Sequence, residues 1–436
     1  MERLRPAIAK KVGGVALPRM FRARQVFPRP CLKPEEIPAA LRARLEAEDI
    51  AATVKPGMRI AVTVGSRGVA NVAVITKAIV DFCKARGARP FIVPAMGSHG
   101  GATAGGQRAI VEGYGCTEEY LGCPILSSME VVRIGVNDEG TDIYIDKNAV
   151  EADGIIVSCR VKPHSAFRGV YESGIMKMMA IGLGKQYGAE VCHSQGMGQM
   201  HKNVPLFGRG ILKNAAVIFA VAAIENAYDE TARIEVVPAG QIAEREPALL
   251  EEAKANMPRI LVDSADVLVV DQIGKNFSGD GMDPNITGTW PTPYATGGIN
   301  AQHTAILNIT KESHGNGIGM GTSSAITARV FNQLDLEAMY MNGLTCTVLV
   351  GARIPPVMES DREAIQLCLH VCVGNDKANP RIVRIPNSLH IEHIMLSEAY
   401  LEEAARIPGL KIESEPEPWP FDADGNLPMQ GGLLEF

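Results

Sequence analysis

Short runs of consecutive apolar residues alternate along this chain with longer segments whose apolar residues recur at helical spacing. RIAVTV, PFIVPAM and GIIVSCRV are continuous apolar runs of strand length, the pattern of strands covered on both faces. Between the first two, Asn71 to Arg86 carries the helical pattern and stops at Gly87. That order reads as a βαβ unit with parallel strands. AAVIFAVAAIEN and RIEVVPAG read as further strands, and AEREPALLEEAKANMPRI as a helix with a proline stop. Residues 34–51 predict one amphipathic helix, and two short strands around Asp138-Glu139-Gly140 predict a small antiparallel addition. In the second half, DVLVV, HTAILNIT, TCTVLVGARIPPV, RIVRIPN and HIMLSE read as strands, and SDREAIQLCLHVCV as a helix capped by Ser360. The acidic, proline-rich tail from about Glu413 is expected to wrap the surface. The fold class is α/β, in two α/β domains with mainly parallel sheets, residues 1–250 and 251–436.

Composition narrows the class. The 436 residues are 46% hydrophobic and include 44 glycines, with 5% aromatics. A formal charge of −6 gives no general attraction to nucleic acid. No apolar run reaches the length of a membrane span, so no membrane partner is expected. Nine scattered cysteines without a CxxC pair indicate neither a zinc ribbon nor a disulfide framework, and reduced thiols in the cytoplasm account for them.

The chemistry-bearing residues begin where the buried strands end, which in open α/β sheets is where ligands bind. RIAVTV runs into Gly65-Ser66-Arg67-Gly68, PFIVPAM into Gly97-Ser98-His99-Gly100-Gly101, and GIIVSCRV into VKPHSAFRGVYESGIMKMMAIGLGKQYGAEVCHSQG. Arg67 could hold a carboxylate or phosphate with its planar fork, or serve a structural ion pair. His99 could be an acid/base, a metal ligand or a loop cap. Lys177 lies among Ile175, Met176, Met178, Met179 and Ala180. A lysine desolvated there is a nucleophile or covalent attachment point; the alternative is a lysine that snorkels to solvent. Gly182, Gly184 and Lys185 form GLGK, which lacks Walker A spacing but could present backbone N–H groups to one phosphate. In the second half, GKNFSGDGMDPN offers Lys275 and Asn276. No HExxH, nucleophile elbow or P-loop occurs.

GSRG, GSHGG, the Pro-His pair with Lys177 downstream, and His193 beyond it together resemble the nickel-dependent lactate racemase superfamily. The resemblance covers the N-terminal half, and GKNFSGDGMDPN extends it into the second. It implies two α/β domains with the active site in the interdomain cleft: residues 1–250 catalytic and cofactor-attaching, residues 251–436 closing the cleft. It implies a nickel pincer nucleotide, a pyridinium-derived mononucleotide attached covalently to Lys177, with His193 as nickel ligand. It assigns the paired acid/base roles to His99 and His164 and the substrate carboxylate to Arg67. The expected activity is racemisation or epimerisation of a 2-hydroxy acid by reversible hydride transfer through a 2-keto acid, with cofactor-maturation enzymes as partners and a homo-oligomer compatible with the chain.

The pattern departs from the lactate-specific members. No Gly-Gly-Arg precedes Lys177, Gly100 follows His99 where they have arginine, and the loop after His164 is longer, adding Arg168 and Glu172. Arg168, Lys275 and Asn276 are therefore expected to serve a larger or more polar hydroxy acid. Two other readings use the same residues: a metal-dependent lyase or hydrolase in which His99, His164 and His193 act directly, and a non-catalytic ligand-binding homologue.

Overall fold

The structure, a computed structural model, describes residues 6–66 and 68–428. The chain divides into two units: Pro28–Met257, and a second that joins the segment through Phe27 to the chain from Pro258 on. This differs from the expected division at 250/251. The first strand, β1 (Met20–Gln25), pairs antiparallel with two strands from the far end of the chain, so its backbone groups are satisfied only there.

The unit Pro28–Met257 is built on β2 (Arg59–Val64), β3 (Arg89–Pro94), β4 (Val131–Val136), β5 (Asp142–Asp146), β6 (Gly154–Arg160), β7 (Val217–Glu225) and β8 (Thr231–Pro238). Its five-stranded sheet runs β3-β2-β6-β7-β8. The first four strands are parallel and β8 is antiparallel. Ile60, Val62, Ile92 and Ile156 are fully buried, as continuous apolar strands require; each contributes roughly 1.5–3 kcal/mol of burial. The helix Val72–Ala85 lays Ile75, Ile79, Val80, Phe82 and Cys83 against this core. It ends where Gly87 takes φ +75° and Ala88 N–H returns to Cys83 O at 3.0 Å, a glycine C-cap. The hairpin of β4 and β5 is a separate two-stranded sheet, as expected. The expected helix over 34–51 is two, Ile37–Leu45 and Glu48–Ala51.

The other unit adds β9 (Ser264–Val270), β10 (Asn300–Ile306), β11 (Ala325–Thr327), β12 (Val357–Met358), β13 (Ile382–Ile385), β14 (His393–Ser397) and β15 (Leu410–Ile412). The eight-stranded sheet runs β12-β11-β10-β9-β13-β14-β1-β15. β12 through β13 are parallel, and β14, β1 and β15 pair antiparallel. The strand expected over TCTVLVGARIPPV is only Val357–Met358. Upstream, the helix Leu336–Cys346 runs on to a left-handed Thr347 (φ +59°), and a 3₁₀ turn follows at Val350–Ala352. The tail lies along β1, Met20 and Glu417 exchanging backbone hydrogen bonds of 2.9 and 2.8 Å.

Candidate functional site

Because β2, β3 and β6 run parallel, the loops that follow them open on one edge of the sheet. They touch. Ser66 Oγ hydrogen-bonds His99 Nδ1, while Tyr114 O–H donates to Ser66 O at 2.7 Å. The His99 ring is thus held from the neighbouring loop. Gly100 has φ +68°, and a Cβ there would lie 2.7 Å from Gln107 N, so only glycine lets the loop fold under His99. Gln107, buried on the apolar stripe of the helix Ala104–Gly113, donates to Gly97 O at 2.8 Å and His99 O at 3.2 Å.

After β6 the chain makes a closed loop. Its neck is a backbone pair, Lys162 N to Ser173 O at 2.7 Å and Ser173 N to Lys162 O at 3.1 Å. Inside it the Glu172 carboxylate, with a fully buried side chain, accepts from His164 N at 2.8 Å and Arg168 Nη1 at 3.2 Å and pairs with Lys254 at 3.1 Å. Arg168 Nη1 also donates to His164 O at 2.8 Å, and the Phe167 ring lies 4.3 Å from that of His164. The His164 ring is fixed at both nitrogens. Nδ1 accepts from Ala166 N–H at 3.0 Å, and Nε2 is 2.7 Å from Lys177 Nζ. With Nδ1 an acceptor, the proton of the neutral ring is on Nε2. Nε2–H can then donate to Lys177 Nζ only where that amine is uncharged, and the bond occupies the amine's one lone pair.

Lys177 closes a short turn, Ile175–Lys177, that widens into a π-helical turn over Met178–Leu183 before the helix Lys185–His193. Such turns are rare and recur at functional sites. Gly97 N–H donates to Gly182 O at 3.2 Å, which joins the His99 loop to the π turn. His193 ends the last helix. Its Nδ1–H donates to Ala189 O at 2.7 Å, which leaves the Nε2 lone pair as a ligand oriented by a carbonyl behind the ring. Burial holds His193 below the ordinary histidine range against the pull of the Ala189 carbonyl; a proton on Lys177 would act in the direction of burial. The ring is therefore a neutral imidazole at neutral pH.

Of the expected site residues, His164 and Lys177 touch, the His99 loop joins the turn after Lys177 through Gly97 and Gly182, and His193 lies within reach of the Lys177 charge. Others serve different ends. Gly182, Gly184 and Lys185 do not form an open phosphate cradle. All three are buried, and a Cβ on Gly182 would lie 2.8 Å from Ala95 O. Lys185 is fully buried, donates to Pro94 O and to Gln107 Oε1 at 2.9 Å, and forms an ion pair with Asp146 Oδ2 at 3.2 Å. All three partners are oxygens that favour an ammonium. Burial pulls Lys185 down and pushes Asp146 up, each opposed by the other's charge. Arg168 braces the His164 loop. Lys275 and Asn276 lie in the other unit, Lys275 Nζ bound to Gly279 O at 2.7 Å and Asn342 Oδ1 at 2.8 Å, and Asn276 Oδ1 to Thr310 Oγ1 at 2.8 Å. Arg67 lies outside the described residues.

Sequence reasoning gave no role to Ser66, Gln107, Asp146 or Glu246. Glu246 was legible in principle: it falls on the buried stripe Ile242, Glu246, Leu249, Leu250, Ala253 of its helix, where an acid is out of place.

Residues 17–203 match the family model of the lactate racemase N-terminal domain. No curated protein matches the chain at a significant level. Among solved structures, the lactate racemase apoprotein from Thermoanaerobacterium thermosaccharolyticum is similar, with a TM-score of 0.51 and 13% identity over 84% of this chain and 94% of that one. The second likeness is one of fold.

Proposed function

We propose that this chain, whose residues 17–203 match the lactate racemase N-terminal domain, is a racemase or epimerase of a 2-hydroxy acid that carries a nickel pincer nucleotide on Lys177. The observation that carries the reading is the 2.7 Å contact between His164 Nε2 and Lys177 Nζ, which favours the uncharged, nucleophilic form of the amine. His193 fits the second requirement, a neutral imidazole whose Nδ1 is taken by Ala189 O and whose Nε2 keeps its lone pair for nickel. When bound, the nucleotide supplies a reversible acceptor for the α-hydride of the substrate.

The remaining work falls to the chain's own side chains. Once the Lys177 nitrogen becomes part of an amide-like bond, its lone pair is delocalised and it no longer accepts from His164. His164 Nε2 can then serve the substrate hydroxyl. His99, oriented by Ser66, serves the opposite face. One histidine would take the hydroxyl proton and the other would return one to the same oxygen from the opposite face, so each ring must present an unprotonated nitrogen in one direction and a protonated one in the other. Arg67 is assigned to the substrate carboxylate. Glu172 and Arg168 keep His164 in place during both half-reactions. Among the described residues no three His, Cys, Asp or Glu side chains come together as a metal site, which counts against a hydrolase with nickel or zinc held by three histidines.

The test is peptide mapping after maturation with the cofactor-making enzymes. The adduct mass should fall on the peptide containing Lys177, and His193→Ala should lose most of the nickel while the adduct stays. An adduct on another residue, or full nickel occupancy in His193→Ala, overturns the assignment.

A further inference from the structure

The turn that carries Lys177 begins at a buried acid. Glu246 is 1% exposed, and its Oε2 accepts from Met176 N–H at 2.9 Å. The Ile175 N–H also bonds this carboxyl. These are the first two amides of the turn Ile175–Lys177, which has no earlier turn to satisfy them. On the other side, a Cβ at Gly174 would stand 2.2 Å from Glu246 Oε1, so the carboxyl occupies the space a side chain at 174 would take. We propose that Glu246 is a positioning residue for Lys177: its carboxylate grips the two amides ahead of the lysine and sets the angle at which the amine meets His164.

The arrangement is costly, and that is informative. Among the described residues no cation pairs with Glu246. Burial pushes its carboxyl up to about 7 against the pull of the two amides. The groups facing it are Cys159 on β6 and Tyr171 in the His164 loop, both themselves pushed up. On its own helix, Arg245 is bound to Glu235 and Lys254 to Glu172 and Glu251. A glutamine of the same shape would fold at less cost. An acid kept there at a penalty does something for its neighbours that a neutral group does less well. The charged form binds two N–H groups more strongly than an amide oxygen does.

This inference rests on Lys177 as the reactive amine, but not on the nucleotide. It is tested on the unmodified full-length chain by acetylation with a small activated ester, read at Lys177 by peptide mass spectrometry from pH 5.5 to 8.5, with exposed Lys411 as internal reference. Glu246→Gln should slow labelling at Lys177 about tenfold, the value of one charge-assisted bond, and remove an inflection near pH 7 present in the parent; His164 is common to both and cancels. Gly174→Ala, which drives the same carboxyl away from the opposite side, should slow Lys177 likewise. Glu246→Gln should melt no lower than the parent at pH 8. The proposal is overturned if folded Glu246→Gln labels with the parent's rate and pH profile, or if that variant fails to fold. Normal labelling effects with no adduct after maturation would sink the cofactor reading alone.

Discussion

Lys177 and Lys185 stand two helical turns apart on one run of chain, in similar glycine- and methionine-rich surroundings, and they do opposite things. Lys185 is fully buried, and its ammonium meets Pro94 O, Gln107 Oε1 and Asp146 Oδ2. Lys177 is half-buried, and its nitrogen receives a hydrogen bond from His164. Desolvation is common to both and does not decide reactivity. What decides it is whether the partners ask the nitrogen for protons or offer it one. A ring of acceptors makes an ammonium a structural pin; an imidazole N–H favours an uncharged amine.

The comparison breaks first on turnover. His99→Ala and His164→Ala should each lose inversion by about 10²–10⁴-fold while the adduct and nickel remain, because every cycle uses both rings. Optical rotation beside deuterium exchange at the α-carbon checks this. Inversion at the parent's rate in either variant would move that histidine to packing or substrate binding.

It sharpens next on stability. Lys185→Met leaves Asp146 buried without its cation and should cost about 3–5 kcal/mol, partly recovered in the double variant with Asp146→Asn. Lys177→Ala gives up one hydrogen bond and should cost about 0.5–1.5 kcal/mol. Urea denaturation of the four chains measures both, and equal losses at the two lysines would end the distinction.

A further effect is one of pH. With its carboxyl pushed up to about 7, folded Glu246 holds a proton more tightly than the unfolded chain, whose glutamates titrate near 4.3. The stability it contributes is complete below the unfolded value. It is lost as pH rises towards 7, by at most about 4 kcal/mol. Glu246→Gln should flatten that slope in chemical denaturation between pH 5 and 8. An unchanged slope would mean the carboxyl titrates in its ordinary range.

The α/β class, the parallel strands and the βαβ unit were legible because strands covered on both faces and the helix between them impose distinct periods. The placement of His99 and His164 in loops after buried strands was legible for the same reason. The two lysines could not be told apart, since the partners that separate them come from residues 94, 107, 146 and 164. TCTVLVGARIPPV carries β-branched residues of strand type, but its first two residues complete a helix and Thr347 turns left-handed after them. MFRARQ shows alternation too brief to read as a strand without knowing that β14 and β15 flank it.

That last pairing bears on how the protein is made. Units fold in the order the ribosome releases them, at about 5–20 residues per second. The unit Pro28–Met257, with His99, His164, His193 and Lys177, is complete once residue 257 has emerged. The sheet holding β1 must wait for Leu410–Ile412, on the order of ten seconds or more later. For that interval β1 is an unpaired strand tethered to a finished neighbour. A synthesis arrested just beyond residue 257 should yield a nascent chain whose protease-resistant core begins after Phe27.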